Sequence, residues 1–140
     1  MPIQDLAREE IVTANEDASI AELAQLMRDE TVGSVVITNV DSPVGIVTDR
    51  DLTIRVLADE REAIGLTAQD VMSSDLCAVG PEAGFYEAAQ VMSDNGVRRL
   101  PVCTEDDELV GIITADDLTE LLADEHQQLA AIIRSQRAAY

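Results

Sequence analysis

The chain repeats itself, and this constrains its fold more than any other feature. Residues 20–32 lie over residues 85–97 at a constant offset of 65, so that Ile20, Glu22, Leu23, Ala24, Gln25, Met27 and Asp29 meet Phe85, Glu87, Ala88, Ala89, Gln90, Met92 and Asp94. Upstream, Gln4 and Asp5 meet Gln69 and Asp70; downstream, Val32 meets Val97. One inserted residue then moves the offset to 66. After it, Val44-Gly45-Ile46-Val47-Thr48 meets Val110-Gly111-Ile112-Ile113-Thr114, and Asp51-Leu52-Thr53 meets Asp117-Leu118-Thr119. Two linked blocks at nearly constant spacing mark a duplicated structural unit. A unit of roughly sixty residues is marginal alone, so the two are expected to cover each other's apolar surfaces.

Periodicity gives the content of one unit. Ile20, Leu23, Ala24 and Met27 fall at i, i+3, i+4 and i+7 behind a Ser19/Glu22 capping box, which predicts a helix over 19–30. The β-branched runs Val35-Val36-Ile37 and Val44 to Val47 predict two strands joined by a turn at Asp41-Ser42-Pro43. A short strand over 11–13 precedes the helix, and Thr48-Asp49-Arg50-Asp51 opens a second one. The second unit repeats the pattern with a strand over 76–79, a helix over 84–95, strands over 99–103 and 109–113, and a helix from Asp116 toward Arg137. Residues 59–65 are polar and connect the units. The expected fold class is α+β, with two pseudo-symmetric strand-helix-strand-strand-helix repeats, over 7–62 and 72–127, packed as one module with two inter-repeat clefts. A C-terminal helical extension over 128–140 follows.

Charge narrows the partners. Asp and Glu total 28 against nine basic residues, all of them arginine, for a net charge of -19. Such a surface repels a nucleic-acid duplex, which needs a basic face to displace counterions. Proteins that work at high salt use acidic surfaces, so a halophilic source is the expectation. At molar salt the Debye length is about 3 Å, and only arginines within contact range decide whether a phosphate binds. No apolar run approaches the roughly eighteen residues of a membrane span, and the N-terminus lacks a signal-peptide pattern. The reading is a soluble, cytoplasmic protein with no membrane partner. Cys77 and Cys103 sit in apolar strand-like runs and read as buried free thiols.

Two segments, Val44-Gly45-Ile46-Val47-Thr48-Asp49-Arg50-Asp51-Leu52 and Val110-Gly111-Ile112-Ile113-Thr114-Ala115-Asp116-Asp117-Leu118, fit a Gly-apolar-apolar-Thr/Ser-x-x-Asp pattern. With Asp70-Val71-Met72 and Gly96-Val97-Arg98-Arg99-Leu100-Pro101-Val102, they make the chain resemble the cystathionine-β-synthase (CBS) domain pair over about residues 5–125. The resemblance implies a regulatory module that binds adenosine derivatives such as AMP, ADP, ATP or S-adenosylmethionine, and that usually forms a homodimer.

The Thr-x-x-Asp element suits such a ligand. A helix N-terminus offers unpaired N–H groups and a positive dipole end to a phosphate. The threonine hydroxyl can donate to a phosphate oxygen, and the carboxylate can accept from two ribose hydroxyls. Thr48 with Asp51 and Thr114 with Asp117 are the candidates. The same spacing is also that of an ordinary capping box, so the motif supports both readings. Arg98 and Arg99 are the only adjacent basic pair, and either contact a phosphate or pair with surface carboxylates. Their counterparts in the first unit are Gly33 and Ser34, so the two clefts should differ. The expectation is that the cleft using Thr114, Asp117 and the arginine pair holds phosphate better, with Arg50 partly equipping the other. Pro101, in the apolar-Pro-apolar strand, has Val36 as its counterpart. Ile11, Val12 and Thr13, and likewise Leu76, Cys77 and Ala78, are candidates for the faces around an adenine ring or for plain core. One arginine pair favours AMP or S-adenosylmethionine over ATP.

No catalytic constellation stands out. His126 is the only histidine and lies in a polar helix, and the cysteines lack zinc-site spacing. Neither a Walker loop nor a dinucleotide fingerprint is present. Paired acids such as Asp106 and Asp107 read as a solvated turn. Neither an enzyme nor a metal site is expected. The choice lies between a ligand sensor acting on a separate protein and an adaptor that uses the same fold, with empty clefts, to dimerise or bind a partner. The helix from Thr119, with Leu121, Leu122, Leu129, Ile132 and Ile133, serves as a dimer or partner contact or packs on the core.

Overall fold

The computed structural model describes residues 1–74 and 76–137. In the first repeat, β1 (Thr13–Asn15) leads to α1 (Ile20–Glu30), then β2 (Ser34–Asn39) and β3 (Ser42–Thr48). Ser19 caps α1 by accepting the Glu22 N–H at 3.1 Å, and the helix ends at Thr31 in a left-handed conformation. Ile20, Leu23 and Met27 face the core, as their spacing requires. The helix carries the chain over the sheet, so β1 pairs parallel to β2, while β3 returns antiparallel, giving the order β1-β2-β3.

Two sequence-based boundaries move. The turn between β2 and β3 consists of Val40 and Asp41 alone, both at positive φ (49° and 64°), the conformation whose twist matches paired strands. Ser42 and Pro43 therefore belong to β3. As an edge strand next to an irregularity at Ile37/Thr38, β3 tolerates the missing proline N–H. The first strand begins at Thr13 rather than Ile11: Val12 only lends its carbonyl to the Val36 N–H at 3.0 Å, and Ile11 is left to line the space between repeats.

After β3, α2 (Asp49–Asp51) continues in π-helical geometry over Leu52–Ala58. The second repeat opens with α3 (Ala68–Val71) and continues through α4 (Phe85–Asn95), β4 (Arg99–Cys103), β5 (Leu109–Thr114) and α5 (Ala115–Arg137). The strand expected over 76–79 shrinks to one parallel bridge between Val79 and Val102. Gly80-Pro81 follows at once, and proline has no N–H with which to extend the ladder.

The repeats are tied by a reciprocal exchange. The N-terminal turn of the first repeat packs on the second, where Ile3 is fully buried in the cluster of Val79, Ala88, Leu100, Val102 and Ile113. The equivalent turn of the second repeat packs on the first, where Ala68 and Val71 join Leu23, Val35, Ile37 and Val47. The backbone bonds match: Arg8 pairs antiparallel with Ile112, and Ser73 with Ile46. Fully burying an isoleucine contributes roughly 1.5–3 kcal/mol, so each repeat's core is incomplete without a segment of the other.

Glycine makes the exchange possible. A Cβ on Gly45 would lie 2.5 Å from Met72 Sδ and 2.9 Å from the Ser73 carbonyl oxygen. One on Gly111 would lie 3.0 Å from Ala7 Cβ and 3.3 Å from the Arg8 carbonyl oxygen. The repeated Val-Gly-Ile thus marks where the incoming segment touches bare backbone. Cys77 and Cys103 are half-buried, not buried as their apolar neighbours suggested, and Cys103 is a free thiol. Cys103 ends β4, where the core stops, and burial followed by the nearby Asp107 carboxylate raises its pKa.

Candidate functional site

Strands β3 and β5 each end in a threonine that caps the helix that follows. Thr48 N–H donates to Asp51 Oδ2 at 2.9 Å, and Asp51 N–H donates to Thr48 Oγ1 at 3.1 Å. In the second repeat, Thr114 N–H donates to Asp117 Oδ2 at 3.0 Å and Asp117 N–H to Thr114 Oγ1 at 3.1 Å. The capping reading therefore holds for both. A third Thr-x-x-Asp, Thr67 to Asp70, makes the same Thr N–H to Asp Oδ2 bond at 2.9 Å and lines neither cleft. Capping alone does not single out a ligand site; what surrounds each carboxylate does.

The surroundings differ between the two clefts. The first encloses about 250 Å³ and joins Thr48, Arg50 and Asp51 of one repeat to Arg98, Arg99 and Pro101 of the other. Ile46, Leu76, Cys77, Val97 and Pro101 supply apolar wall. The second encloses about 230 Å³ between Thr114 and Asp116 on one side and Ile11, Val12, Val32, Gly33 and Ser34 on the other. Thr13 lines a neighbouring open groove with Ile11 and Val12, and is not in this second cleft.

This reverses the expected grouping. Both arginines line the cleft of Thr48 and Asp51, and only Arg99 also lines the cleft of Thr114. The pseudo-twofold relation explains it: each cleft lies between repeats, so a helix N-terminus meets the strand edge of the other unit. Arg98 N–H donates to Asp116 Oδ1 at 3.2 Å in an exposed pair, which is worth about 0–1 kcal/mol and is readily surrendered. Arg99 reaches across the interface. A Cβ on Gly33 would lie 3.3 Å from Arg99 Nη2 and 3.3 Å from Asp49 Oδ2, so a side chain there would crowd the guanidinium by a few tenths of an ångström. Arg99 borders both clefts.

The two carboxylates are also unequally committed. Asp117 Oδ1 accepts from Arg8 Nη2 at 3.2 Å, because the exchanged segment delivers Arg8 beside β5. The residue equivalent to Arg8 is Ser73, which has no charge, and among the described residues the ion pair of Asp51 Oδ1 is with Arg55 Nε at 3.8 Å. Arg55 Nη1 donates to the Val71 and Met72 carbonyls, at 2.8 and 3.1 Å, and its Nη2 to Ser73 Oγ at 3.3 Å. Reading the sequence identified neither Arg8 nor Arg55. Arg8 could have been found from the alignment with Ser73, once the strand exchange was known. His126 is exposed, and among the described residues no cluster of His, Cys, Asp and Glu is placed to hold a metal ion. No described helix is long and apolar enough to cross a membrane.

A duplicated α+β unit, exchanged terminal turns and two clefts between repeats define a paired-repeat α+β module. The chain belongs to the CBS domain family, whose model matches residues 3–58 and 68–124. An uncharacterized protein of Methanopyrus kandleri is 35% identical over 120 residues, which cover 85% of this chain and 61% of that protein. The chain thus spans about three fifths of that relative's length. A CBS domain protein of Pyrobaculum aerophilum, complexed with AMP, superposes with a TM-score of 0.76 at 28% identity, covering 84% of this chain and 89% of that one. A CBS domain pair in complex with 5′-methylthioadenosine and S-adenosyl-L-methionine gives a TM-score of 0.81 at 22% identity, covering 89% and 98%.

Proposed function

We propose that this chain binds one adenosine-containing ligand in the Thr48/Asp51 cleft and thereby regulates a separate protein. The observation that carries the reading is the meeting of a threonine and a carboxylate whose Oδ1 is only loosely engaged, by Arg55 at 3.8 Å, from one repeat with an arginine pair from the other. Asp51 accepts the ribose hydroxyls, the start of α2 and Arg98 or Arg99 take the phosphate, and the aliphatic walls sandwich the base. A volume at the small end for ligand sites suits a single nucleoside. One arginine pair beside Asp49 and Asp51 favours AMP or S-adenosylmethionine over ADP or ATP. The relatives seen with AMP and with S-adenosylmethionine support this chemistry. Because the ligand's contacts come from both repeats, its binding changes their relative position, which a partner protein senses as differential affinity. The Arg8–Asp117 pair leaves Asp117 the less available of the two carboxylates for a ribose.

The test is calorimetric titration of the full chain with AMP, ADP, ATP and S-adenosylmethionine at low and high salt, beside Arg99→Ala. Saturable binding near one ligand per chain, weakened at least tenfold by Arg99→Ala for a phosphorylated ligand, is the expected result. No binding of any of the four at millimolar concentration sinks the sensor reading and leaves an adaptor with empty clefts.

A further inference from the structure

Each of the two carboxylates is tied by an arginine to the segment that arrives from the other repeat, but the two ties are built differently. In the second repeat the cation sits on the arriving segment itself, and Arg8 Nη2 donates to Asp117 Oδ1 at 3.2 Å. In the first repeat it sits on the helical stretch after β3. Arg55 Nη1 donates to the Val71 and Met72 carbonyls at 2.8 and 3.1 Å, and Nη2 to Ser73 Oγ at 3.3 Å. Those acceptors are the end of α3, its capping residue, and the residue that pairs with Ile46. The third nitrogen, Nε, stands 3.8 Å from Asp51 Oδ1, too far for a hydrogen bond. At the offset of 66, Arg55 meets Leu121, so the second repeat has an apolar side chain in its place.

The guanidinium is thus anchored on one side and loosely engaged on the other. Its anchors are carbonyls at a helix end, which lack helical partners of their own. Because the fork is planar and rigid, holding both Nη atoms fixes the direction of Nε, and a shift of residues 71–73 turns Nε relative to Asp51. Asp51 Oδ2 is occupied by the Thr48 N–H, which leaves Oδ1 shared between Arg55 and whatever enters the cleft. Arg55 also lies in the π-helical stretch Leu52–Ala58, a geometry that inside helices frequently marks a functional position. We propose that Arg55 is a positioning residue, a strut that aims Asp51 at the ribose and passes the occupancy of the cleft to α3, whose Ala68 and Val71 are buried in the first repeat's core. This role rests on an adenosine ligand occupying the Thr48/Asp51 cleft.

Neither α3 nor Met72 is among the described residues that line the cleft, so their amides read the relay apart from direct contact with a ligand. Met72 N–H, bonded to the Ala68 carbonyl at 2.9 Å, is the reporter. Ala88 N–H, bonded to the Gly84 carbonyl at 3.1 Å in the second repeat, controls for overall stabilisation. Hydrogen exchange of the full chain is followed by NMR with and without saturating AMP or S-adenosylmethionine, whichever titration shows to bind. The ligand should slow Met72 relative to Ala88 by about fivefold or more, the low end of coupling between sites. Arg55→Lys keeps the charge and the stem, but one ammonium cannot meet the carboxylate and the carbonyls together. It should bind up to about tenfold more weakly, as for the loss of one charged contact, and should lose the slowing at Met72. Binding of neither compound to the unsubstituted chain removes the ligand reading and this role together. A bound ligand that leaves Met72 unchanged relative to Ala88, or a full response in Arg55→Lys, overturns the strut alone.

Discussion

Asp51→Ala and Asp117→Ala make a matched pair that separates capping from ligand binding. Both carboxylates accept their threonine's N–H, at 2.9 and 3.0 Å, so each substitution removes half a capping box and should cost about 1 kcal/mol of stability. Asp117→Ala also frees Arg8, but that pair is largely exposed on the arginine side and adds no more than about 1 kcal/mol. The two variants should therefore unfold within about 1 kcal/mol of each other in urea. Affinity should split them. Two ribose hydroxyls donating to Asp51 are charge-assisted bonds, worth at least about 1.5 kcal/mol each. Losing both removes about 3 kcal/mol, or roughly a hundredfold in Kd. Asp117→Ala should leave Kd within about threefold. Titration of AMP and S-adenosylmethionine into both variants, corrected for fraction folded, reads the difference. Full binding by Asp51→Ala, with loss in Asp117→Ala, would show that the ligand occupies the other cleft and that the Arg8 pair does not close it.

Three further outcomes test other parts of the structure. Gly45→Ala should lose about 1–3 kcal/mol in denaturant unfolding, because its Cβ would press on Met72 and the Ser73 carbonyl, whereas Gly80→Ala, with nothing within 4 Å, should be nearly neutral. With a net charge of -19, the unfolding temperature should rise between 0.1 and 1 M NaCl as the Debye length falls from about 10 to 3 Å; no change would mean that self-repulsion is not limiting. The raised pKa of Cys103 means that the folded chain holds this proton more tightly than the unfolded one. Its contribution is present below the ordinary thiol range and is lost as pH rises through it. Alkylation of Cys103 at pH 8.5 should be slower in the folded protein than in urea, and faster in Asp107→Asn.

The duplication was legible because it is written twice, and each copy corroborates the other. Helix α1 announced itself through Ile20, Leu23 and Met27, since helical periodicity is local. Boundaries were less legible where neighbours decide them. Ile11 looks like strand but stays outside the ladder, and 76–79 reads as strand but finds only one bridge at Val79. The geometry of Leu52–Ala58 left no mark in the periodicity.

Taken alone, the sequence determined the residue types of the site: paired Thr-x-x-Asp elements, one arginine pair, aliphatic walls and an overwhelming negative charge. Which of them meet was decided by the tertiary structure. The terminal turns cross to the opposite repeats, so Arg98 and Arg99 face Asp51 while Arg8 reaches Asp117. A pattern within one repeat cannot encode that assignment, because each cleft joins chain segments of both repeats, with Arg98 lying 50 residues after Thr48, and their meeting depends on how two incomplete cores bury each other.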